Sequence, residues 1–216
     1  MPSTLTILLA GAAAYLLGSI SFALLASRLF GLADPRTYGS KNPGATNVLR
    51  SGHRGAAIVT LLGDVLKGWL AVFLAKHYAQ SGELSIEIVG LVAVAVFLGH
   101  LFPIFLKFKG GKGVATAAGV LLAIDPWLGL ATLTTWLTVA FTLRYSSLSA
   151  LTAAVAAPLY AWLLAMPAAL VLTVGAIAVA LVGKHWSNLQ RLLAGNEPKI
   201  GARKKSAAPP PDQPQP

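Results

Sequence analysis

The 216-residue sequence contains no cysteine and only seven acidic residues. The first absence excludes disulfides, thiolate metal sites and thiol nucleophiles, although it identifies no compartment. The second leaves few oxygen ligands for hard cations, and paired aspartates are missing, so we expect neither a metal site nor a cofactor. Only 11% of the residues are charged, whereas 56% are hydrophobic. This balance excludes an ordinary soluble domain.

The hydrophobic residues form long runs, and the basic residues lie in short clusters between these runs. A helix of about 20 apolar residues crosses the hydrocarbon core of a bilayer, and lysine and arginine accumulate in cytoplasmic loops. The net charge of +10 is therefore attributed to membrane topology, and no nucleic-acid partner is expected. The sequence predicts an all-α polytopic membrane protein.

Seven transmembrane helices are predicted, and the first is interpreted as a retained span instead of a cleaved signal. The predicted segments are 5–27, 55–75, 88–106, 113–124, 126–143, 145–165 and 168–183. The fourth would extend roughly 18 Å as a helix, so either it starts deep within a cavity or the adjoining glycines form part of the span. Asp125-Pro126 predicts the N-cap and first position of the fifth helix, and Met166-Pro167 predicts the last turn.

The orientation follows from the positive-inside rule. With the N-terminus outside and the C-terminus cytoplasmic, all but two of the 17 lysines and arginines lie inside; Lys67 falls within a span and Lys76 outside. Three polar segments, 31–54, 107–113 and 184–199, then share the cytoplasmic face and can converge into one site. Residues 1–200 are predicted to form one domain, and residues 201–216 a disordered basic and proline-rich tail.

Two groups of charged residues need a specific interpretation. Lys107 to Gly113 holds three lysines and three glycines, which predicts an anion-binding cradle before a helix start; alternatively, the lysines contact acidic lipid headgroups. It is not a Walker loop, because Gly113 follows Lys112. Asp64 and Lys67 lie three apart within the second span and are expected to pair, as a structural ion pair or in a functional role.

Three motifs carry a resemblance to a known family. They are Gly39-Ser40-Lys41-Asn42-Pro43-Gly44-Ala45-Thr46-Asn47-Val48-Leu49-Arg50, the cradle from Lys107 to Gly119, and the segment from His185 to Glu197. In order and spacing they resemble the three cytoplasmic motifs of the bacterial membrane acyl-phosphate:glycerol-3-phosphate acyltransferase (PlsY) family. One departure is Lys41-Asn42-Pro43, where the family more commonly has a second glycine and a small or apolar residue. No histidine begins the His-x4-Asp pattern of the other acyltransferase class.

The resemblance implies transfer of a fatty acyl group from acyl phosphate to the sn-1 hydroxyl of glycerol 3-phosphate, which gives lysophosphatidic acid and phosphate. The implied partners are these two substrates and the bilayer, with an upstream supplier of acyl phosphate as a possible further partner. The implied location is the bacterial inner membrane, with the active site facing the cytoplasm. The main alternative function is a transporter or flippase for an anionic metabolite; a structural scaffold would leave the three motifs without a purpose.

The resemblance also implies residue roles. Arg50 and Lys112 would bind phosphate, while His185 and Asn188 would orient the glycerol hydroxyl or polarise the carbonyl. The catalytic candidates are Ser40, Arg50, Lys112, His185 and Asn188. The substrate-binding candidates are Asn42, Gly44, Thr46, Asn47, His100, Lys107, Lys109, Gly110, Gly111, Gly113, Thr116, Arg191 and Glu197.

Three of these roles stay open in the sequence. The hydroxyl proton could pass to His185 or to a phosphate oxygen of a substrate. His100 could instead satisfy a loop carbonyl. Glu197 could hold Arg191 or Lys199 in place, or form only a solvated ion pair.

Overall fold

The computed structural model describes residues 3–80 and 85–201, and within these ranges the regular structure is helical. The α-helices are α1 (Thr4–Ser19), α2 (Phe22–Leu29), α3 (Ala45–Leu49), α4 (Arg54–Gln80), α5 (Ile86–Leu101), α6 (Val114–Ile124), α7 (Pro126–Leu143), α8 (Ser146–Leu163), α9 (Ala168–Lys184) and α10 (Trp186–Leu193). A short 3-10 turn covers Ile104–Leu106. The tail predicted to be disordered lies, from residue 202 onward, outside the described residues.

The helices agree with the prediction of an all-α polytopic membrane protein. Within the described ranges, five helical segments are long and apolar enough to cross a membrane, and the pair α9 and α10, bent by 60°, would make a sixth. The five segments are Thr4–Leu29, Arg54–Gln80, Ile86–Leu106, Pro126–Leu143 and Ser146–Leu163. Because α6 has only 11 residues, the number of seven spans stays a prediction.

The first predicted segment is broken in the structure. α1 ends at Ser19 and α2 begins at Phe22, so Ile20 and Ser21 interrupt the helix without a proline or glycine between them. The carbonyl oxygen of Ile20 instead accepts a hydrogen bond of 2.7 Å from Lys67 Nζ. A buried cation thus satisfies a backbone group that the break releases from the helix.

α4, α5 and α6 form the centre of the bundle. Val72, Val96 and Val120, one from each of these helices, are fully buried. α4 and α6 pack backbone to backbone, because a Cβ atom built on Gly119 would lie 2.0 Å from the carbonyl oxygen of Val65. Small residues at helix crossings permit such close approach, and this crossing brings Asp64 and Lys67 next to the first turns of α6.

The C-terminal end of α6 is fixed. Asp125 accepts hydrogen bonds from the backbone N–H groups of Trp127 at 2.8 Å and Leu128 at 3.0 Å, which confirms the predicted N-cap of α7. Lys76 Nζ donates to the last carbonyl of α6, at Ile124, over 2.7 Å. Since α6 starts beside the middle of α4 and ends beside Lys76, the arrangement favours a short helix that begins deep in the bundle.

The predicted pairing of Asp64 with Lys67 is confirmed. The carboxylate oxygen and Nζ are 2.9 Å apart, and the two side chains are 3% and 1% exposed. Ionisable groups at such depth are costly unless they are paired. The pair lies next to α5 and α6, not toward lipid, because both side chains are enclosed by the bundle.

Candidate active site

The first polar loop is organised by Asn47 on α3. Its Oδ1 accepts a hydrogen bond from the backbone N–H of Ser40 at 2.9 Å. Its Nδ2 donates to the carbonyl oxygens of Pro35 at 2.7 Å and Tyr38 at 3.2 Å. Asn47 is only 1% exposed, so in this structure it holds the loop together, and its predicted contact with substrate stays a prediction.

The arginines of this loop differ in their partners. Arg36 forms a salt bridge of 2.6 Å with Asp34, and hydrogen bonding from Arg36 holds the pKa of that carboxyl below its usual value. Arg50, at the end of α3, is exposed, and its guanidinium makes no hydrogen bond or salt bridge within the described part of the chain. Arg50 therefore presents a free cation.

The other candidates of the first loop lie at its surface. Ser40 and Thr46 are exposed, whereas Asn42 and Gly44 are half-buried. The backbone N–H of Gly44 donates to the carbonyl oxygen of Asn42 over 2.9 Å, which forms a tight turn. The side chains of Ser40, Asn42 and Thr46 are not joined to Lys112 by hydrogen bonds in the described part of the chain.

The cradle folds back onto the end of α5. The backbone N–H of Gly111 donates to the carbonyl oxygen of His100 at 3.1 Å. A Cβ atom on Gly111 would lie 2.2 Å from His100 Nε2, so only glycine allows the cradle to lie this close to the imidazole. Lys107 and Lys109 are exposed, whereas Gly110 is half-buried and Gly113 is buried. The cradle thus has a buried floor and an exposed basic rim.

The third polar segment starts at the bend between α9 and α10. His185 Nδ1 lies 2.9 Å from the carbonyl oxygen of Leu181, so Nδ1 carries the hydrogen and donates it. The carbonyl oxygen of His185 accepts from the backbone N–H of Asn188 over 2.9 Å. His185 and Asn188 are both buried and lie on one side of the bend, as their spacing predicts.

Lys112 and Asn188 join the cradle to the third segment. Lys112 Nζ donates to Asn188 Oδ1, and Asn188 Nδ2 donates to Glu197 Oε1 at 2.6 Å. Glu197 also accepts from Ser147 Oγ at 2.7 Å and from Arg191 Nε at 2.7 Å. The expectation that Glu197 holds Arg191 is confirmed. Lys199 lies instead over the ring of Tyr145, 5.4 Å from its centroid.

Ser147 is a residue that the sequence analysis missed. It is buried on the first turn of α8, and its hydroxyl is one of the three donors to Glu197. A serine early in a helix is usually unremarkable. Its position three residues after Arg144, at the predicted cytoplasmic end of a span, is the signal that could have found it.

The charges of this group perturb one another. Burial lowers the pKa of Lys112 to about 8; the positive charges of Arg191 and Arg50 add to this effect, and Glu197 opposes it. Burial by itself would raise the pKa of Glu197, but hydrogen bonds from Ser147, Asn188 and Arg191 hold it below the ordinary value. The cations thus outnumber the single carboxylate, which suits a polyanionic ligand.

His100 and Thr116 lie beneath the cradle. His100 Nδ1 is 3.1 Å from Thr116 Oγ1, and both residues are buried. The His100 side chain therefore does not satisfy a loop carbonyl, and that alternative is wrong. Packing places the ring between α4 and α6, where a hydroxyl and a carboxylate are its polar neighbours. Among the described residues no group of three or more histidines and acids could hold a metal ion.

Glu197→Gln is expected to lower the free energy of unfolding by about 1–3 kcal/mol, because a neutral amide cannot accept from three donors. In the wild type, the lowered pKa means that this stabilisation is present above the ordinary value of 4.5 and is lost as the pH falls through the folded-state pKa. Unfolding in detergent micelles, followed by tryptophan fluorescence from pH 3 to 7, measures both effects. If the free energy of unfolding depends on pH equally in the variant and the wild type, the stabilising role of the Glu197 carboxylate is contradicted.

The fold and the site can be compared with known proteins. A family model described as glycerol-3-phosphate acyltransferase matches residues 8–195. The glycerol-3-phosphate acyltransferase of Dechloromonas aromatica (strain RCB) is 62% identical over 194 residues, which cover 90% of this chain and 96% of that protein. The protein of the same name from Burkholderia pseudomallei (strain K96243) is 59% identical and covers 94% and 99%.

The solved structures agree with these relatives. The crystal structure of PlsY (YgiH), an integral membrane glycerol 3-phosphate acyltransferase, in its glycerol 3-phosphate form matches with a TM-score of 0.84 at 35% identity, covering 91% of this chain and 96% of that chain. Its lysophosphatidic acid form matches with a TM-score of 0.83 at 34% identity. The chain therefore belongs to the glycerol-3-phosphate acyltransferase family of integral membrane enzymes.

Proposed function

We propose that this chain transfers a fatty acyl group from acyl phosphate to the sn-1 hydroxyl of glycerol 3-phosphate, forming lysophosphatidic acid and inorganic phosphate. The observation that carries the proposal is the group of cations formed by Lys112, Arg50 and Arg191. It lies on a fold similar to that of PlsY, which was solved in glycerol 3-phosphate and lysophosphatidic acid forms. Two phosphate-bearing substrates repel each other, and convergent cations offset that repulsion.

In this proposal Lys112 and Arg50 bind substrate phosphate, and the backbone of the glycine cradle adds N–H donors. The half-buried environment of Lys112 strengthens its attraction for an anion. Asn188, which is held by Glu197, fixes the direction of the lysine side chain. Ser40 and Thr46 extend from the first loop as further donors, and Lys107 and Lys109 attract anions to the rim.

The chemical step is a single displacement at the acyl carbon. The sn-1 hydroxyl oxygen of glycerol 3-phosphate attacks the carbonyl carbon of acyl phosphate and forms the new ester bond. The bond from that carbon to the bridging phosphate oxygen breaks, and inorganic phosphate leaves with the electron pair. Because phosphate is a good leaving group and the protein supplies fixed positive charge, we propose that no metal ion takes part.

The hydroxyl proton has two possible acceptors. One is His185, whose Nδ1 donates to Leu181 and whose Nε2 is therefore the basic nitrogen of the neutral ring. The other is a phosphate oxygen of a substrate, which would make the reaction substrate-assisted. Both routes conserve the proton, since it leaves the site on phosphate or returns to solvent from the imidazole.

His185→Gln separates the two routes. Burial lowers the pKa of His185 to about 4. If His185 is the base, the variant is expected to be slower by about 10²–10⁴ and to lose the limb of the pH profile of turnover near that value, because glutamine does not titrate. His77→Gln, at the far end of α4, is the matched control and is expected to keep the wild-type profile. A slower variant with an unchanged profile shape would assign the proton to a phosphate oxygen.

The decisive assay uses purified protein in detergent micelles with palmitoyl phosphate and glycerol 3-phosphate. We expect phosphate release that requires both substrates, lysophosphatidic acid with the acyl group at sn-1, and an unchanged rate in the presence of EDTA. Palmitoyl coenzyme A in place of palmitoyl phosphate is the donor control. A protein that gives no phosphate release, but moves glycerol 3-phosphate across proteoliposome membranes, would be a transporter.

The site is proposed to face the cytoplasm in a bacterial inner membrane, in a seven-span arrangement with the N-terminus outside. The charge distribution supports this orientation. The contact of Lys76 with the end of α6 supports a crossing by α6, because the two helix ends then lie at the same depth. Residues 1–200 would form this single domain.

Single cysteines test the orientation directly, because the sequence contains none. Ser51→Cys and Asn196→Cys are expected to be protected from a membrane-impermeant maleimide in spheroplasts. Gln80→Cys and Ala168→Cys are expected to react. All four positions are exposed in the structure. Labelling of Ser51 and Asn196 from opposite sides would contradict the shared site, and protection of Ala168 would contradict a crossing by α6.

A further inference from the structure

A second polar cluster lies beneath the cradle and takes no direct part in the proposed chemistry. Its four members are nearly inaccessible: Asp64, Lys67, His100 and Thr116 are 2%, 2%, 7% and 0% exposed. They come from α4, α5 and α6. A buried ion pair is often no more stabilising than well-packed apolar residues, so stability by itself does not explain this cluster.

The cluster begins at the break in the first span. Lys67 Nζ is 2.7 Å from the carbonyl oxygen of Ile20 and 2.9 Å from Asp64 Oδ1. The same carboxylate oxygen lies 3.5 Å from His100 Nδ1. Lys67 therefore neutralises Asp64, and Asp64 in turn faces the imidazole.

The cluster ends at the cradle. Thr116 Oγ1 lies 3.1 Å from His100 Nδ1, so this nitrogen faces a hydroxyl as well as the carboxylate. The opposite ring nitrogen faces Gly111, and the His100 carbonyl oxygen accepts the Gly111 backbone N–H. His100 therefore contacts Gly111 through both its ring and its backbone, and Gly111 directly precedes Lys112.

A small cavity lies at the same place. It has a volume of about 10 Å³ and is lined by Lys67 and His100, by Gly110 and Gly111 of the cradle, and by Pro43 of the first loop, among others. The buried cluster thus adjoins two of the three polar segments, although none of its side chains reaches the surface that would receive substrate.

We infer that Asp64, Lys67 and Thr116 are positioning residues that hold His100, and through it Gly111 and Lys112, in the geometry that binds substrate phosphate. The role toward substrate phosphate rests on the proposed function. The role in holding His100 and the cradle rests on the contacts described above. The inference assigns a role to the ion pair of Asp64 and Lys67. It also places His100 and Thr116 behind the phosphate-binding surface, whereas the sequence predicted that these two residues contact substrate.

Three variants test the inference. Thr116→Val removes the hydroxyl and keeps the side-chain shape, whereas Thr116→Ser keeps the hydroxyl. The double variant Asp64→Asn/Lys67→Met removes both charges together and leaves no uncompensated buried ion. Lys76→Met is the matched control, because Lys76 also lies on α4 and also donates to a backbone carbonyl at a helix end over 2.7 Å, but far from the cradle.

The unfolding temperature of each purified protein is measured, together with two further readouts. The first is steady-state kinetics with palmitoyl phosphate and glycerol 3-phosphate; the second is amide hydrogen exchange of the peptide that contains residues 107–113. For Thr116→Val and for the double variant we expect the KM for at least one substrate to rise about tenfold, with kcat changed less than about threefold. The cradle amides are expected to exchange faster.

The controls are expected to behave differently. Thr116→Ser should keep both KM values and the slow exchange of the cradle, and Lys76→Met should unfold at a lower temperature with both KM values unchanged. The inference is overturned if Thr116→Val and the double variant keep both KM values within about twofold, whatever their unfolding temperatures. It is also overturned if KM and cradle exchange do not change together.

Failure of the proposed function would give a different result. If the wild type releases no phosphate from palmitoyl phosphate in the presence of glycerol 3-phosphate, the proposed reaction is wrong. Hydrogen exchange still decides whether the buried cluster holds the cradle, because it needs no turnover. If the cradle amides exchange faster in Thr116→Val and in the double variant, the buried cluster still positions the cradle, although the substrate is a different one. Unchanged exchange would show that the cluster does not position the cradle.

Discussion

Phosphate release by a Lys112→Met variant is expected to be about 10²–10³ slower than that of the wild type, the usual cost of removing a preorganised group that stabilises developing negative charge. Methionine keeps most of the length of the side chain, so the loss mainly reflects charge and not volume. The hydrogen bond to Asn188 is lost as well, but Asn188 is still held by Glu197. A rate within tenfold of the wild type would remove Lys112 from the site.

The pH dependence makes the role of this lysine specific. Since burial lowers the pKa of Lys112 to about 8, its ammonium form is lost as the pH rises through that value. The substrate phosphates, with second pKa values of about 6, keep their charge there. In the wild type, kcat/KM is therefore expected to fall by about tenfold per pH unit above 8, since kcat/KM reports the free enzyme.

Lys112→Arg is the matched variant for the fall of kcat/KM above pH 8. Arginine stays charged throughout, although its planar guanidinium binds phosphate with a different geometry. We expect a lower maximal rate and no decline of kcat/KM between pH 8 and 10, measured by phosphate release in detergent micelles. A decline that persists in Lys112→Arg would show that another group titrates.

Arg50→Ala is expected to lower acyl transfer strongly while the protein remains inserted and folded. Arg50 is exposed and its guanidinium has no protein partner in the described part of the chain, so its removal breaks no hydrogen bond or ion pair there. It lies near enough to Lys112 to depress the pKa of that lysine, which places two cations where two phosphates must approach. The expected loss is about 10²–10³ in kcat/KM.

Arg36→Ala is the control for Arg50→Ala. Arg36 belongs to the same loop and is also exposed, but its charge is neutralised by Asp34 over 2.6 Å. Exposed ion pairs contribute little, so this variant is expected to keep wild-type kinetics and a similar unfolding temperature. Full turnover by Arg50→Ala, or equal losses in both variants, would contradict the special role of Arg50.

The local features of this protein were predictable because they depend on neighbours in the sequence. Aspartate before proline favours the start of a helix, and Asp125 caps α7 as expected. Residues three apart share a helix face, so Asp64 and Lys67 meet. The glycine-rich cradle was recognisable from its composition, and its position before an apolar run predicted the start of α6.

Other features depended on packing between distant segments. The contact between Lys112 and Asn188 joins residues 76 positions apart, and sequence spacing carries no information on such a pair. The same is true of the hydrogen bond between Ser147 and Glu197, which lie 50 positions apart. It is also true of the hydrogen bond from Lys67 to the carbonyl oxygen of Ile20, 47 positions earlier. The role of Asn47 as a loop organiser was also hidden, because its partners are backbone groups.

The sequence by itself determined that the chain is a helical membrane protein with three basic polar segments, because long apolar runs and clustered cations leave no other stable arrangement in a bilayer. Only the tertiary structure decided which polar side chains touch. Backbone-to-backbone crossing at Gly119 sets the depth at which α6 begins, and that depth brings Thr116 and Asp64 to His100 and brings Lys112 to Asn188. Such contacts arise from the close packing of whole helices, which no single segment encodes.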